Sequence, residues 1–143
     1  MMRSRRSGKY RNIGILMLRI GLGVAFIMHG IPKVIGGPEA WATYGAAMQF
    51  IGIDEAPMFF GFIAGITELF GGIFMALGIF YRPVLILLTI TMLVATASKI
   101  GEGAGYPEIA HPMEMALVFF CMIFIGPGKY SLRLRGERRR RLF

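Results

Sequence analysis

Six ionisable side chains lie within or beside long apolar runs of this 143-residue chain: Arg19, His29, Lys33, Glu68, His111 and Glu114. Glu68 is the only charge in the stretch from Gly61 to Tyr81, whose length suits a bilayer crossing of about 20 mostly apolar residues. A carboxylate in hydrocarbon costs about 2.5–3.5 kcal/mol on insertion scales, so Glu68 is expected to face a partner or a cavity. Helical spacing sets Gly61, Gly65, Glu68 and Gly72 on one face, where small residues let a neighbouring backbone come close. Arg19 falls about 9 Å into the first apolar run, and Glu68 about 15 Å from the far end of its own, at the helical rise. Across a core about 30 Å thick an arginine side chain closes the remaining distance. Arg19 is therefore expected to pair with Glu68 and to hold it ionised.

His29 and Lys33 are four residues apart, hence on one helical face if the helix persists past Pro32. The sequence His111-Pro112-Met113-Glu114 opens a further apolar run. Proline suits a first helical turn and a carboxylate there complements the dipole, so a purely structural reading of His111 and Glu114 stands beside a functional one. Two histidines and two acids from three helices in one half of a small bundle are more ionisable chemistry than stability requires. A quinone site needs donors near each carbonyl oxygen, a proton path and an apolar slot. His29, Glu68 and His111 are the candidate quinone contacts, Glu114 a further proton carrier, and the Phe and Met residues the slot. Two histidines on facing helices also suit axial haem ligation, but without a second pair haem is the weaker reading. No HExxH, Gly-rich phosphate loop, Ser-His-Asp arrangement or metal-ligand set is present. The lone Cys121 rules out an internal disulfide, CxxC chemistry and Cys-based zinc sites, and is expected to be a small buried core residue.

The elements that carry these residues follow from composition. The chain is 55% hydrophobic, with a mean hydropathy of +0.61, which is ordinary for a membrane protein. Four spans are expected, at about Ile13–Ile31, Met58–Tyr81, Val84–Ser98 and Pro112–Ile125. The first ends at Pro32, and Arg82-Pro83 forms a short turn between the second and third. Between the first two spans, Trp41, Tyr44, Met48 and Ile51 fall on one face of a short amphipathic helix expected at the membrane interface. The fold class is thus all-α, an integral membrane four-helix bundle with a short amphipathic helix in the first outer loop. It divides into a basic tail (1–12), the membrane domain (13–128) and a second basic tail (129–143). The N-terminus imitates a secretory signal, but its apolar run has the length of a full span and carries Arg19 and His29, so a retained helix is expected.

Of the sixteen Lys and Arg residues, the tails and Arg82 hold thirteen. By the positive-inside rule both tails are expected in the cytoplasm, with the protein in a bacterial inner membrane. The net charge of +8 then belongs to basic ends beside anionic lipid, including the run Arg138–Arg141, and does not point to nucleic acid.

Arg19, then His29-Gly30 with Lys33, Glu68-Leu69 with Gly71-Gly72, Arg82, His111-Pro112 with Glu114, and Gly126-Pro127-Gly128-Lys129-Tyr130-Ser131-Leu132 together resemble the DoxX family in order and spacing. The resemblance covers about Ile13–Leu132, and departs from the family at Arg133, where the last motif usually ends in aspartate. It implies a small bacterial membrane protein of four helices. Relatives include a subunit of a thiosulfate:quinone oxidoreductase and members associated with membrane complexes of thiol and oxidative-stress defence. The family offers no settled set of catalytic residues, and these are its recurring polar positions as they stand here. The expected function is a subunit of a quinone-linked membrane oxidoreductase or thiol-stress complex, with a protein partner in the bilayer and room for self-association. Two rivals remain: a proton-coupled small-molecule exporter, in which Glu68 must be free to exchange protons, and a scaffold or assembly factor without chemistry.

Overall fold

A computed structural model describes residues 3–132, with side chains from Gly8 onward. Arg133, Arg135 and Arg138–Arg141, together with the side chains of Arg3, Arg5 and Arg6, lie outside the described residues. The described chain is helical: α1 (Arg3–Ile35), α2 (Gly37–Gly45), a 3-10 helix (Ala46–Ile51), α3 (Pro57–Leu77), α4 (Tyr81–Gly101) and α5 (Tyr106–Ile125). Four helices are long and apolar enough to cross a membrane, with mean hydropathies of 1.7–2.0. Within them only 22–33% of residues are buried in the bundle. The apolar faces left outside call for a hydrocarbon solvent, which makes this an all-α multi-pass membrane bundle, as expected. The backbone N–H of Lys129 donates to Asn12 Oδ1 at 3.2 Å. Both ends of the described chain therefore meet at one end of the bundle, called terminal below; the opposite end is distal.

Three of the four membrane helices run further than the sequence suggests, whereas α3 stops at Leu77, short of the expected Tyr81. α1 begins at Arg3, ahead of the expected Ile13, and continues through Pro32 to Ile35. Proline deprives one carbonyl, four residues back, of its helical donor, a loss that membrane helices absorb through neighbouring groups. Arg82-Pro83 is not the turn between spans but part of the first turn of α4, where a missing N–H costs nothing. The turn is Gly78–Phe80, with Gly78 at φ 77° and Phe80 at φ 45°. α5 starts at Tyr106, so Glu108 occupies its first turn and His111-Pro112 lies inside the helix rather than at its cap.

α1 packs closely on α3, α3 on α4, and α4 on α5. The α1–α3 crossing is as tight as backbones allow. A Cβ on Gly23 would lie 2.7 Å from the Gly72 carbonyl oxygen, and one on Gly72 would lie 2.6 Å from that of Gly23. The glycine face read from the sequence is the buried face of α3, with Gly61, Gly65, Glu68 and Gly72 all inside. Gly72→Leu is expected to cost about 1–3 kcal/mol by overpacking. Gly14→Leu, whose Cβ would meet nothing within 4 Å, should be neutral. Detergent-unfolding midpoints of the two variants check the contrast.

The backbones of α1 and α5, by contrast, stay apart. Side chains bridge them: Phe26 meets Phe119 edge to face, with centroids 4.8 Å apart, in a core that includes Met75, Leu85, Leu88 and Met122. Cys121 is exposed, contrary to its expected burial. The buried stripe of α5 is Pro112, Ala116, Phe119 and Met122, and position 121 falls off it. The threonine hydroxyls of α4 are satisfied locally, whereas the buried Tyr81 hydroxyl has no partner among the described residues. Thr89, Thr91 and Thr96 each donate to the carbonyl four residues back, at 2.7–3.0 Å.

The amphipathic helix is present as α2 and the 3-10 helix, and Trp41 is bonded into the bundle. Its indole N–H donates to the carbonyls of Lys33 (2.9 Å) and Val34 (3.3 Å), capping the end of α1. Its ring packs on Phe62, with centroids 4.7 Å apart.

Candidate functional site

Arg19 does not pair with Glu68. Its side chain is directed to the terminal end, where α3 stops. α3 closes in a Schellman motif: the Gly78 N–H donates to Met75 (3.1 Å) and the Ile79 N–H to Phe74 (3.0 Å). Arg19 adds a second donor to the Met75 carbonyl, with Nε at 3.0 Å, and covers that of Ala76 with Nη2 at 2.7 Å. The Leu132 N–H takes the carbonyl of Leu77 at 3.0 Å. The third arginine bond goes to the carbonyl of Pro127 at 2.8 Å. Arg19 is 1% exposed and places its charge at the negative end of the α3 dipole. The Gly126–Leu132 motif is thus the strand of chain that docks on this end, with Gly126 and Gly128 at φ 78° and 73°.

The partner of Glu68 is Lys33, with Nζ 2.6 Å from Oε1. The Glu68 side chain is 2% exposed and that of Lys33 22%. Two features of sequence bring them together. The continuation of α1 beyond Pro32 keeps Lys33 on the face of His29, and Gly65 leaves room for the lysine stem, since a Cβ there would sit 3.1 Å from Lys33 Cβ. Lys33 Nζ also lies 5.1 Å from the centre of the Tyr44 ring, within cation–π range. The second carboxylate oxygen, Glu68 Oε2, is buried without a hydrogen-bond partner among the described residues, an arrangement that costs about 1–3 kcal/mol or more.

The ion pair lines two cavities. The smaller, about 180 Å³, is bounded by Phe26, His29, Lys33, Glu68, Met92 and His111, among others. The His29 and His111 rings stand 5.8 Å apart between centroids, tilted by 40°. Both histidines are exposed at the α1–α5 seam and do not point into the bundle centre, because the two backbones are not in contact there. The larger cavity, about 620 Å³, lies among the 3-10 helix, α3 and α4, within the size range of ligand sites. Tyr44, Met48 and Ile51, the amphipathic face read from the sequence, form part of its wall. At its distal rim Ser98 and Lys99 both donate to Glu102, at 2.7 and 2.8 Å. The bonds from Lys99 and then Ser98 hold the Glu102 carboxyl below its ordinary range.

Of the six residues singled out, then, the structure gathers His29, Lys33, Glu68 and His111. Arg19 lies at the other end of α3, and Glu114 is exposed and lines neither cavity. Sequence reasoning missed the pairing of Lys33, although the four-residue spacing from His29 pointed to its face. It also missed the Ser98–Lys99–Glu102 rim, for which the spacing across a helix end was the available signal.

A bundle of four membrane helices, closed by an arginine-capped turn and holding a buried lysine–glutamate pair beside two histidines, defines a small multi-pass membrane protein with a polar cluster inside its bundle. The family model described as DoxX matches residues 14–99, more than half of the chain, and the protein belongs to the DoxX family. It is 30% identical over 130 residues to an uncharacterized protein of Haemophilus influenzae, an alignment covering 87% of this chain and 91% of that one. It is 31% identical over 83 residues to a Bacillus subtilis protein named "Putative oxidoreductase CatD", covering 58% of this chain and 57% of the other. No solved structure matches.

Proposed function

We propose that this protein is the membrane subunit of a quinone-linked oxidoreductase that works with a thiol-oxidising partner, its tails on the cytoplasmic face of a bacterial inner membrane. The observation that carries the reading is the Lys33–Glu68 ion pair, set inside the bundle and flanked by His29 and His111. The similarity to the protein named "Putative oxidoreductase CatD" supports it. The residues fit the chemistry: an unpartnered buried carboxylate oxygen and a cavity of about 620 Å³ meet at one ion pair. A bound quinone would supply two-electron acceptor chemistry, balanced by oxidation of a partner's thiol pair to a disulfide and by two protons. Lys33 donates a hydrogen bond to a head-group oxygen. Glu68 receives and returns a proton there, and the two imidazoles pass protons between the ion pair and the outside of the α1–α5 seam.

The exporter reading is weakened by the same contact. Glu68 already has a lysine at 2.6 Å, whereas an exporter's carboxylate must be free for its cargo. The test is the rate of quinone-pool reduction in membrane vesicles. His29→Ala/His111→Ala, inserted at normal levels, is expected to slow it about a hundredfold, the lower end of general acid–base contributions. An unchanged rate would leave a scaffold instead.

A further inference from the structure

The two cavities differ in the way they meet the bilayer. Ile63, Leu87 and Ile90, which stand in the wall of the larger one, are 42%, 53% and 52% exposed. They lie in the middle stretches of α3 and α4, so this cavity faces the lipid side-on. Its inner end is the Lys33–Glu68 pair, and beyond that pair lies the histidine seam. The pair therefore divides an apolar chamber facing lipid from a crevice that carries titratable groups. At about 180 Å³ the crevice is smaller than usual ligand sites, whereas the chamber is of ordinary size.

The chemistry of the dividing wall selects the head group. Lys33 Nζ carries three protons and gives one to Glu68 Oε1, leaving donors for an acceptor on the ligand. Glu68 Oε2 lacks a donor and is closed to the chamber as it stands, so the carboxylate must turn about its last torsion to present it to a ligand. A head that both accepts and donates satisfies the wall; one that only accepts leaves Oε2 as it is. A hydroxyl does both, and a quinone carbonyl does not.

We propose that the larger chamber is the lodging site of the ligand, entered from the bilayer between α3 and α4, and that it holds the quinol form in preference to the quinone, with one quinol hydroxyl donating to Glu68 Oε2 and accepting from Lys33. The ring lies against Tyr44, Met48 and Phe60 and the tail passes Ile63 and Leu87 toward lipid. The histidines lie across the ion pair from the ligand and take no part in its binding. This assignment rests on the quinone reading above.

Trp41, the single tryptophan, is bonded to the carbonyl of Lys33 and reports on the chamber through quenching by a bound quinone. Full-length protein in mild detergent is titrated with a decyl-substituted benzoquinone, and the bound quinone is then displaced with the corresponding quinol. Saturable quenching is expected, with the quinol about tenfold tighter, as one hydrogen bond to a charged acceptor provides. Ala64→Phe and Val94→Phe, each filling the chamber and each checked for a single species by size exclusion, should abolish quenching. Glu68→Gln should bring the two forms to equal affinity, and His29→Ala should change neither. Saturable quenching that survives both filling variants overturns the chamber and leaves the quinone reading standing. Equal affinity of the two forms in the unaltered protein overturns the head-group assignment. Absence of quenching in the unaltered protein removes the quinone reading and this proposal with it.

Discussion

Replacing Arg19 by methionine is expected to destabilise the bundle by about 3–5 kcal/mol, read as a lowered midpoint on titration of micelles with a denaturing detergent. The side chain is 1% exposed and donates to three carbonyls from two separate parts of the chain, Met75, Ala76 and Pro127. Methionine fills most of the volume but donates to none of them; the Met75 carbonyl keeps the Gly78 N–H, while the buried carbonyls of Ala76 and Pro127 lose their donor. Lysine would retain the charge at the end of α3 but not the planar fork that spans the two segments, so Arg19→Lys should recover only part of the loss. Arg82→Ala, at an exposed position in the first turn of α4, is the control and should stay within about 0.5 kcal/mol of the unaltered protein. Equal midpoints for Arg19→Met and the control would mean that the arginine does not hold this end together.

The second large effect is asymmetric. Lys33→Met leaves Glu68, whose side chain is 2% exposed, without its counter-charge, and is expected to cost about 3–5 kcal/mol. Glu68→Gln leaves a lysine that is 22% exposed and long enough to turn its ammonium toward water, so it should cost less. The double variant Lys33→Met/Glu68→Met removes both charges and fills the gap with apolar volume; it should approach the unaltered protein in stability, because replacing a buried ion pair with hydrophobic groups is often neutral or better. A double-mutant cycle over these variants gives the coupling directly. Additive losses would show that the two side chains do not act as a pair. Since the double variant keeps the fold and loses the polar wall, it also separates stability from function in the vesicle assay.

Much of this architecture was legible in the sequence. Apolar run lengths identified four spans, and glycine spacing identified the face of α3 that packs on α1. The burial of Glu68 followed from the energetic cost of a carboxylate in hydrocarbon. What failed was the choice of partner. Arg19 bonds to backbone carbonyls, and a carbonyl has the same chemistry whatever residue carries it, so no side-chain pattern announces the contact. Lys33 stood among the candidates on the face of His29, but with Pro32 read as the end of the first helix nothing pointed to it as the partner of Glu68. The helix runs on to Ile35, and that one extra turn carries the lysine onto the glycine face of α3. Trp41 illustrates the same gap, since its amphipathic ring suited an interface and its indole N–H found the end of a neighbouring helix. The seam between α1 and α5 was also hidden, because facing histidines suggested inward-directed side chains while the separation of the two backbones leaves them exposed.

The arginine cap also bears on how the chain is made. Arg19 enters the translocation machinery early, yet its acceptors at Met75 and Ala76 belong to the second span, and Pro127 follows the last. A nascent chain halted before Pro127 carries a charge with one bond outstanding, and halted before Met75 it carries one with none of its final contacts. Between synthesis of the first span and completion of the last, this arginine therefore lacks its final acceptors, and the end of the bundle closes only once the last loop has been made.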